Sequence, residues 1–182
     1  PAAVIIDLDT LQSLPKNEIL AGFGEVVKYG FIADARILEL IEADVDIATD
    51  STSDVFAELI ERSVAIKARV VGEDFKEAGL REILNYGHTL GHAFEARCME
   101  SEPIAHGVAV AWGLAYEAQI AKAQGLLDQD AAQELFDFVR ANYSALPEIA
   151  LDAMGLVPFL NQDKKNQDNR WRYAALKSPG SY

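Results

Sequence analysis

The chain has 182 residues, 50% of them hydrophobic, a formal net charge of -13 and a single cysteine. That length suffices for one domain with a real core, while no apolar run of about 18 residues offers a membrane span and no basic segment followed by an apolar one marks a signal peptide. The acidic balance excludes a broad nucleic-acid or anionic-membrane footprint, leaves room for an anionic small molecule beside a few local cations, and the lone Cys98 suits a reducing cytoplasm.

Pro1-Ala-Ala-Val-Ile-Ile opens without Met, as if cut from a longer chain. Ala3 to Leu8 is a β-branched run that reads as a strand or an extended lead-in. A polar turn, Asp9 to Pro15, follows. Lys16 to Tyr29 reads as a helix with Asn17 as N-cap and Ile19, Leu20, Phe23, Val26 and Val27 at helical spacing. Ala21, Gly22 and Gly24 leave room for another element or a ligand to come close. Ala35 to Ala43 forms a second helical segment, Asp44 to Asp54 an acidic loop, and Val55 to Gly72 a third helix with a long apolar stripe. After a charged turn at Glu73 to Gly79, a helix is expected over Leu80–Ala96. Gly107 to Gly125, rich in Ala, Val and Leu, reads as a buried helix. Asp128 to Tyr143 is amphipathic, capped by Asp128 or Asp130. Pro147 to Asn161 holds one helix or two short ones, limited by Pro158, and Arg170 to Leu176 is a candidate short strand. Long helical patterns with extended stretches only at the ends define an all-α, multi-helix domain.

The chemistry concentrates in Leu80 to Glu95, L-R-E-I-L-N-Y-G-H-T-L-G-H-A-F-E. His88 and His92 are spaced i, i+4, which puts both imidazoles on one helix face. His106 follows closely, and the three are the only histidines in the chain. Histidines with carboxylates suit zinc, whose catalytic sites commonly take three protein ligands and leave one position open. Spacing leaves the set open. Both His88 and His92 can ligate, as in H-E-x-x-H metalloproteases, yet no glutamate stands between them, and the carboxylate partner is one of 29 acidic residues. Glu25 and Lys28 sit three apart amid small and apolar residues, which favours a partly buried pair over a solvated one. Lys67, Arg81, Lys164 and Lys165 read on their own as solvated charges, and Asn85 beside Gly87 as a local cap.

Taken together, these residues resemble the 3-dehydroquinate synthase family. The matching stretches are V-I-I-D-L-D-T-L-Q-S-L-P near the start, A-G-F-G-E-V-V-K-Y-G at 21–30, I-K-A-R-V-V at 66–71, E-A-G-L-R-E-I-L-N-Y-G-H-T-L-G-H-A-F-E at 77–95, H-G at 106–107 and D-K-K at 163–165. Val108, where many members carry a polar or acidic residue, and Gly24, in place of a commoner alanine, depart from the pattern without touching the named roles.

The resemblance is to the family's second half. It implies an all-α C-terminal domain of the dehydroquinate synthase and metal-dependent alcohol dehydrogenase type spanning 1–182, with the glycine-rich, Rossmann-like NAD-binding domain absent from this chain. It implies Glu25, His88 and His106 as zinc ligands (cobalt being the alternative metal), with His92 as a proton-transfer group and Glu77 as a second acid–base residue. Lys28 would serve catalysis and, with Lys67, Arg81, Asn85, His88 and one of Lys164 and Lys165, hold the substrate's carboxylate, hydroxyls and phosphate. Thr10, Leu11, Gln12 and Ser13 would touch NAD. The implied activity is the shikimate-pathway lyase reaction, an NAD- and zinc-dependent conversion of 3-deoxy-D-arabino-heptulosonate 7-phosphate to 3-dehydroquinate and phosphate. A cytoplasmic homodimer is expected when full length, and a fragment inactive without its NAD-binding partner domain. The alternatives are another sugar-phosphate cyclase of the superfamily, a polyol dehydrogenase, or a non-catalytic helical metal-binding module. Glu25-x-x-Lys28, Lys67, Arg81, Asn85 and D-K-K together favour 3-dehydroquinate synthase over these, because they suit a carboxylate-bearing substrate.

Overall fold

The computed structural model describes residues 3–43, 53–99, 101–162, 166 and 171–180. Its helices run in the order α1 (Lys16–Ala33), α2 (Ala35–Ala43), α3 (Asp54–Glu73), α4 (His88–Cys98), α5 (His106–Ala123), α6 (Gln129–Asn142) and α7 (Ala153–Leu160), with short 3-10 turns at Leu8–Ser13, Leu80–Asn85 and Glu148–Leu151. No strand forms among the described residues, so the fold is all-α as the patterning requires. No helix among them is long and apolar enough to cross a membrane.

The organising element is α5. Its sequence is apolar all round, which is the pattern of a helix enclosed by others rather than lying on a surface. Ala109, Val110, Ala111, Trp112, Leu114, Ala115, Ala118 and Ala121 are all buried, and α1, α4 and α6 pack on it. Small residues dominate these faces, so the helix axes approach closely. A Cβ on Gly107 would stand 2.1 Å from the Ala21 carbonyl oxygen of α1, and one on Gly113 would stand 1.9 Å from the Gly87 carbonyl oxygen ahead of α4. Only glycine permits either crossing. Larger side chains fill the outer shell, where Trp112, Tyr116, Phe94 and Phe136 meet ring against ring and the Trp112 indole N–H donates to the Ser144 carbonyl at 2.8 Å. Each fully buried leucine or phenylalanine contributes about 1.5–3 kcal/mol.

Several local expectations are corrected. The helix expected over Leu80–Ala96 breaks in two. A 3-10 turn ends at Asn85, Gly87 takes φ 81 in the left-handed region, and α4 begins at His88. The apolar spacing of Leu80, Ile83 and Leu84 is shared by both helix types and does not reveal the break. Pro15, not Asn17, caps α1: its fixed φ of -58 starts the helix at Lys16, and its carbonyl accepts the amides of Glu18 and Ile19. Ala3–Asp7 is exposed and forms no strand, and half-buried Leu8 opens the first 3-10 turn. Residues 171–176 are irregular rather than a strand. Ser53 caps α3, Asp128 caps α6, and Pro147 to Asn161 resolves into a 3-10 turn followed by α7, which tolerates Pro158 in its last turn.

Candidate active site

Two helices bring the histidines together. His88 opens α4, His92 lies one turn on, and His106 opens α5. The ring centroids are 5.3 Å apart for His88–His92, 5.8 Å for His88–His106 and 5.6 Å for His92–His106. One ring nitrogen from each lies within 4.8 Å of the others. From α1, Glu25 Oε1 stands 3.3 Å from His88 Nε2.

Two of the rings are held from behind. His88 Nδ1 is 3.2 Å from the Tyr86 carbonyl oxygen, which can only accept a hydrogen bond, so Nδ1–H donates to it and Nε2 is the ring nitrogen left to ligate. His106 Nδ1 is 2.9 Å from Glu95 Oε2, and a carboxylate there fixes the same tautomer. Backing of this kind is what metal-ligating histidines ordinarily show. Burial, and then the neighbouring Lys28 charge, lowers His88 from its ordinary value to about 4, so the ring is neutral at pH 7, the form that ligates a metal. Imidazoles and a carboxylate converging in this way fit a zinc or cobalt ion by the chemistry of the donor set.

Glu25 is shared. Its other oxygen, Oε2, accepts from Lys28 Nζ at 2.6 Å, and Lys28 also donates to the Leu84 carbonyl at 2.8 Å. Lys28 is 2% exposed while the Glu25 side chain is 41% exposed, so the pair joins the core to the cleft. Burial lowers the Lys28 pKa; Glu25 opposes the shift and Lys67 on α3 adds to it. Beside Glu25 and His106 opens a cleft of about 240 Å³ that also takes in Glu18, Ala21 and Gly22.

A second group of the expected residues lies on the loop between α3 and α4. Asp74 gathers it: Oδ1 accepts the Ala78 amide at 2.8 Å, and Oδ2 those of Gly79 at 2.9 Å and Arg81 at 3.0 Å. Glu77 holds φ 57, a left-handed conformation uncommon for a residue with a side chain. Its carboxylate accepts from Asn85 Nδ2 at 3.2 Å, which brings those two expected site residues into contact. Arg81 donates to the Phe75 carbonyl at 3.1 Å. Thr10 and Ser13 spend their hydroxyls within their own turn, on the Asp7 and Thr10 carbonyls, and Gln12 donates to Asp9. Leu11 packs against the core. Lys164 and Lys165 lie outside the described residues.

Two carboxylates that sequence reasoning passed over belong to this architecture. Glu95 backs His106. Glu117, fully buried on α5, accepts the Gly87 amide at 2.7 Å and the Leu90 amide at 3.0 Å. A signal for Glu117 was present: it is the lone charge in the apolar run from Val108 to Ala118.

Comparison with known proteins fits this geometry. The fold matches the solved structure of ValA, a 2-epi-5-epi-valiolone synthase from Streptomyces hygroscopicus with NAD+ and Zn2+ bound, at TM-score 0.83 and 19% identity over 97% of this chain and 49% of that one. It also matches a 2-deoxy-scyllo-inosose synthase complexed with carbaglucose-6-phosphate, NAD+ and Co2+, at TM-score 0.76 and 27% identity over 96% of this chain and 48% of that one. The class is therefore a helical domain shared with these synthases. Residues 22–166 match the family model of the 3-dehydroquinate synthase C-terminal domain, and the chain belongs to that family. A 3-dehydroquinate synthase of Leifsonia xyli is 58% identical over 133 residues, 73% of this chain and 36% of the relative. One from Rhodococcus opacus is 49% identical over 177 residues, 97% of this chain and 47% of the relative. Over its full run the chain spans about half the length of these relatives.

Proposed function

We propose that this chain is the metal- and substrate-binding half of a 3-dehydroquinate synthase. The whole enzyme would convert 3-deoxy-D-arabino-heptulosonate 7-phosphate to 3-dehydroquinate and phosphate as a cytoplasmic, NAD-dependent lyase and a homodimer. In this reading 1–182 is one domain, the NAD-binding domain lies elsewhere in the enzyme, and the chain alone does not turn over. The observation that carries it is the convergence of Glu25, His88 and His106 from three helices beside the buried Lys28. The choice among synthases rests on sequence: identity is 58% and 49% with the 3-dehydroquinate synthases above but 27% with the inosose synthase.

Glu25, His88 and His106 would hold a zinc or cobalt ion, which when bound supplies Lewis acidity toward substrate oxygens. Lys28, Lys67, Arg81 and Asn85, with Lys164 or Lys165, would bind the carboxylate, hydroxyls and phosphate. Arginine suits the anionic groups by its paired donors. Lys28 already has two acceptors, Glu25 and the Leu84 carbonyl, and an ammonium carries three donors, so one is left for substrate. His92, exposed on α4 beside His88 and His106, would move protons, the work to which imidazole is best suited among side chains. Glu77 would share that work through its contact with Asn85. The Thr10–Ser13 turn would face NAD.

A second ligand set, His88 with His92 and His106, is favoured by the 4.8 Å spacing of the ring nitrogens. Zinc titration of the chain and of E25Q, H88A, H92A and H106A separates the two. The first set expects zinc loss in E25Q, H88A and H106A with binding retained in H92A. Loss in H92A with retention in E25Q would establish the three-histidine set, and retention in both H88A and H106A would sink the metal reading.

A further inference from the structure

The N-cap of α4 is Gly87, which has no side-chain oxygen to satisfy the first free amides of the helix. No capping side chain fits there. The φ of 81 suits glycine, and a Cβ would stand 2.6 Å from the Leu114 side chain and 2.9 Å from the Leu114 amide nitrogen. Glu117 reaches across from α5 to take the amides of Gly87 and Leu90, one carboxylate oxygen on each. The two accepted amides flank His88. The Gly87 amide belongs to the same peptide group as the Tyr86 carbonyl that backs His88 Nδ1.

We propose that Glu117 is a positioning residue of the site: its carboxylate, supplied from α5, caps α4 in place of Gly87 and fixes the turn that presents His88 Nε2 toward Glu25. Stability alone accounts poorly for it. Burying a carboxylate costs several kcal/mol, and an apolar residue of similar volume often does as well or better. What an apolar residue cannot do is hold two amides at fixed points on either side of a ligand. A carboxylate at a helix N-terminus also complements the positive end of the helix dipole, and Glu117 stands at that end of α4. Glutamine cannot substitute cleanly, because its amide nitrogen would face one of the two N–H groups donor to donor.

The inference rests on the zinc reading above, and the experiment separates the two. Zinc alone is titrated into the chain, E117Q and Q119A by competition with a chromophoric chelator. Q119A is the matched control: Gln119 donates to the Ala132 carbonyl on the α6 side of α5 and touches none of the histidine turn. The expected result is a zinc Kd raised about 10–100-fold in E117Q, the usual effect of losing a group that orients a ligand, and unchanged in Q119A. Wild-type affinity in E117Q, or an equal loss in Q119A, would overturn the proposal. The metal-free proteins give a second readout. E117Q should speed amide exchange at Gly87 and Leu90 and shift the His88 Nδ1 resonance, with neither change in Q119A. If the wild-type chain binds no zinc, the functional reading fails while this measurement still decides the role of Glu117. Unchanged exchange and an unchanged ring resonance in E117Q would refute it.

Discussion

Two parts of the molecule present the candidate site residues, and they are built on opposite plans. The histidine cradle is held by backbone against backbone: α1 meets α5 at Gly107, α4 meets α5 at Gly113, and the gaps are too small for a methyl group. The loop that carries Glu77, Arg81 and Asn85 is held by one half-exposed carboxylate, Asp74, collecting three amides. Both plans use an acidic side chain to gather backbone N–H groups, but Glu117 does so in the core and Asp74 at the surface. The contrast matches what each part is proposed to do. Metal ligands tolerate little positional error, and close-packed interiors have discrete arrangements rather than soft ones. A segment that admits and releases a substrate belongs at the low-stability end of the molecule.

The largest expected effect tests the cradle at its tightest point. Gly113→Ala places a Cβ 1.9 Å from the Gly87 carbonyl oxygen and 2.8 Å from the Gly91 nitrogen, both backbone atoms that cannot rotate away. α4 must shift bodily. A loss of at least about 3 kcal/mol is expected, the top of the usual range for overpacking, read by urea denaturation, together with loss of zinc binding. A small change in both would mean that the α4–α5 crossing is softer than its geometry indicates.

The loop should behave differently. Three backbone amides, with those of Ala78 and Arg81 foremost, and the Arg81 charge hold the Asp74 carboxyl below its ordinary value. A carboxyl depressed in the folded state contributes stability that is present above its unfolded pKa of 3.8 and is lost as pH falls through its lower folded value. Because Asp74 lies at the surface, half-exposed, the loss should be local. Asp74→Asn removes the charge and leaves one acceptor oxygen for three donors. Faster amide exchange at Ala78, Gly79 and Arg81 is expected at pH 7, with global unfolding nearly unmoved. In the whole enzyme KM should rise more than kcat falls. A global loss as large as that of Gly113→Ala would erase the distinction between cradle and loop.

How far the sequence foretold each part follows from the same contrast. The helices are legible because burial on one face leaves a period of 3.6, and α5 is legible because enclosure leaves no period at all. The histidine cluster is legible because i, i+4 spacing puts His88 and His92 on one face and a short link leads to His106. Glu25 is not: it comes from a different helix, and only the family resemblance singles it out of 29 acidic residues. The break at Gly87 stays hidden for the same reason. Leu80, Ile83 and Leu84 keep helical spacing, and what ends the helix is chemistry from elsewhere: Asp74 claiming amides on one side and Glu117 on the other. Glu95 sits two turns from His88 and was readable as a partner on that face, but its use depends on where His106 folds back.

The smallest effect sharpens the comparison within one turn of α1. Ala21 is the residue Gly107 presses against, while Gly22, next to it, would carry a Cβ with nothing within 4 Å. Glycine inside a helix costs about 0.5–1 kcal/mol relative to alanine because the unfolded chain loses more freedom. No packing role offsets that cost at Gly22, so Gly22→Ala should stabilise the chain by about that amount. The position is not idle, however, because it lines the cleft shared with Glu25 and His106. A methyl there lies beside the proposed metal ligands without touching them. If zinc affinity stays at the wild-type level while stability rises, the cleft wall is spare volume and the cradle alone defines the metal site. Should stability rise and substrate binding by the whole enzyme fall, the missing side chain is space that the substrate occupies, and the cleft beside Glu25 joins the loop as part of its binding surface.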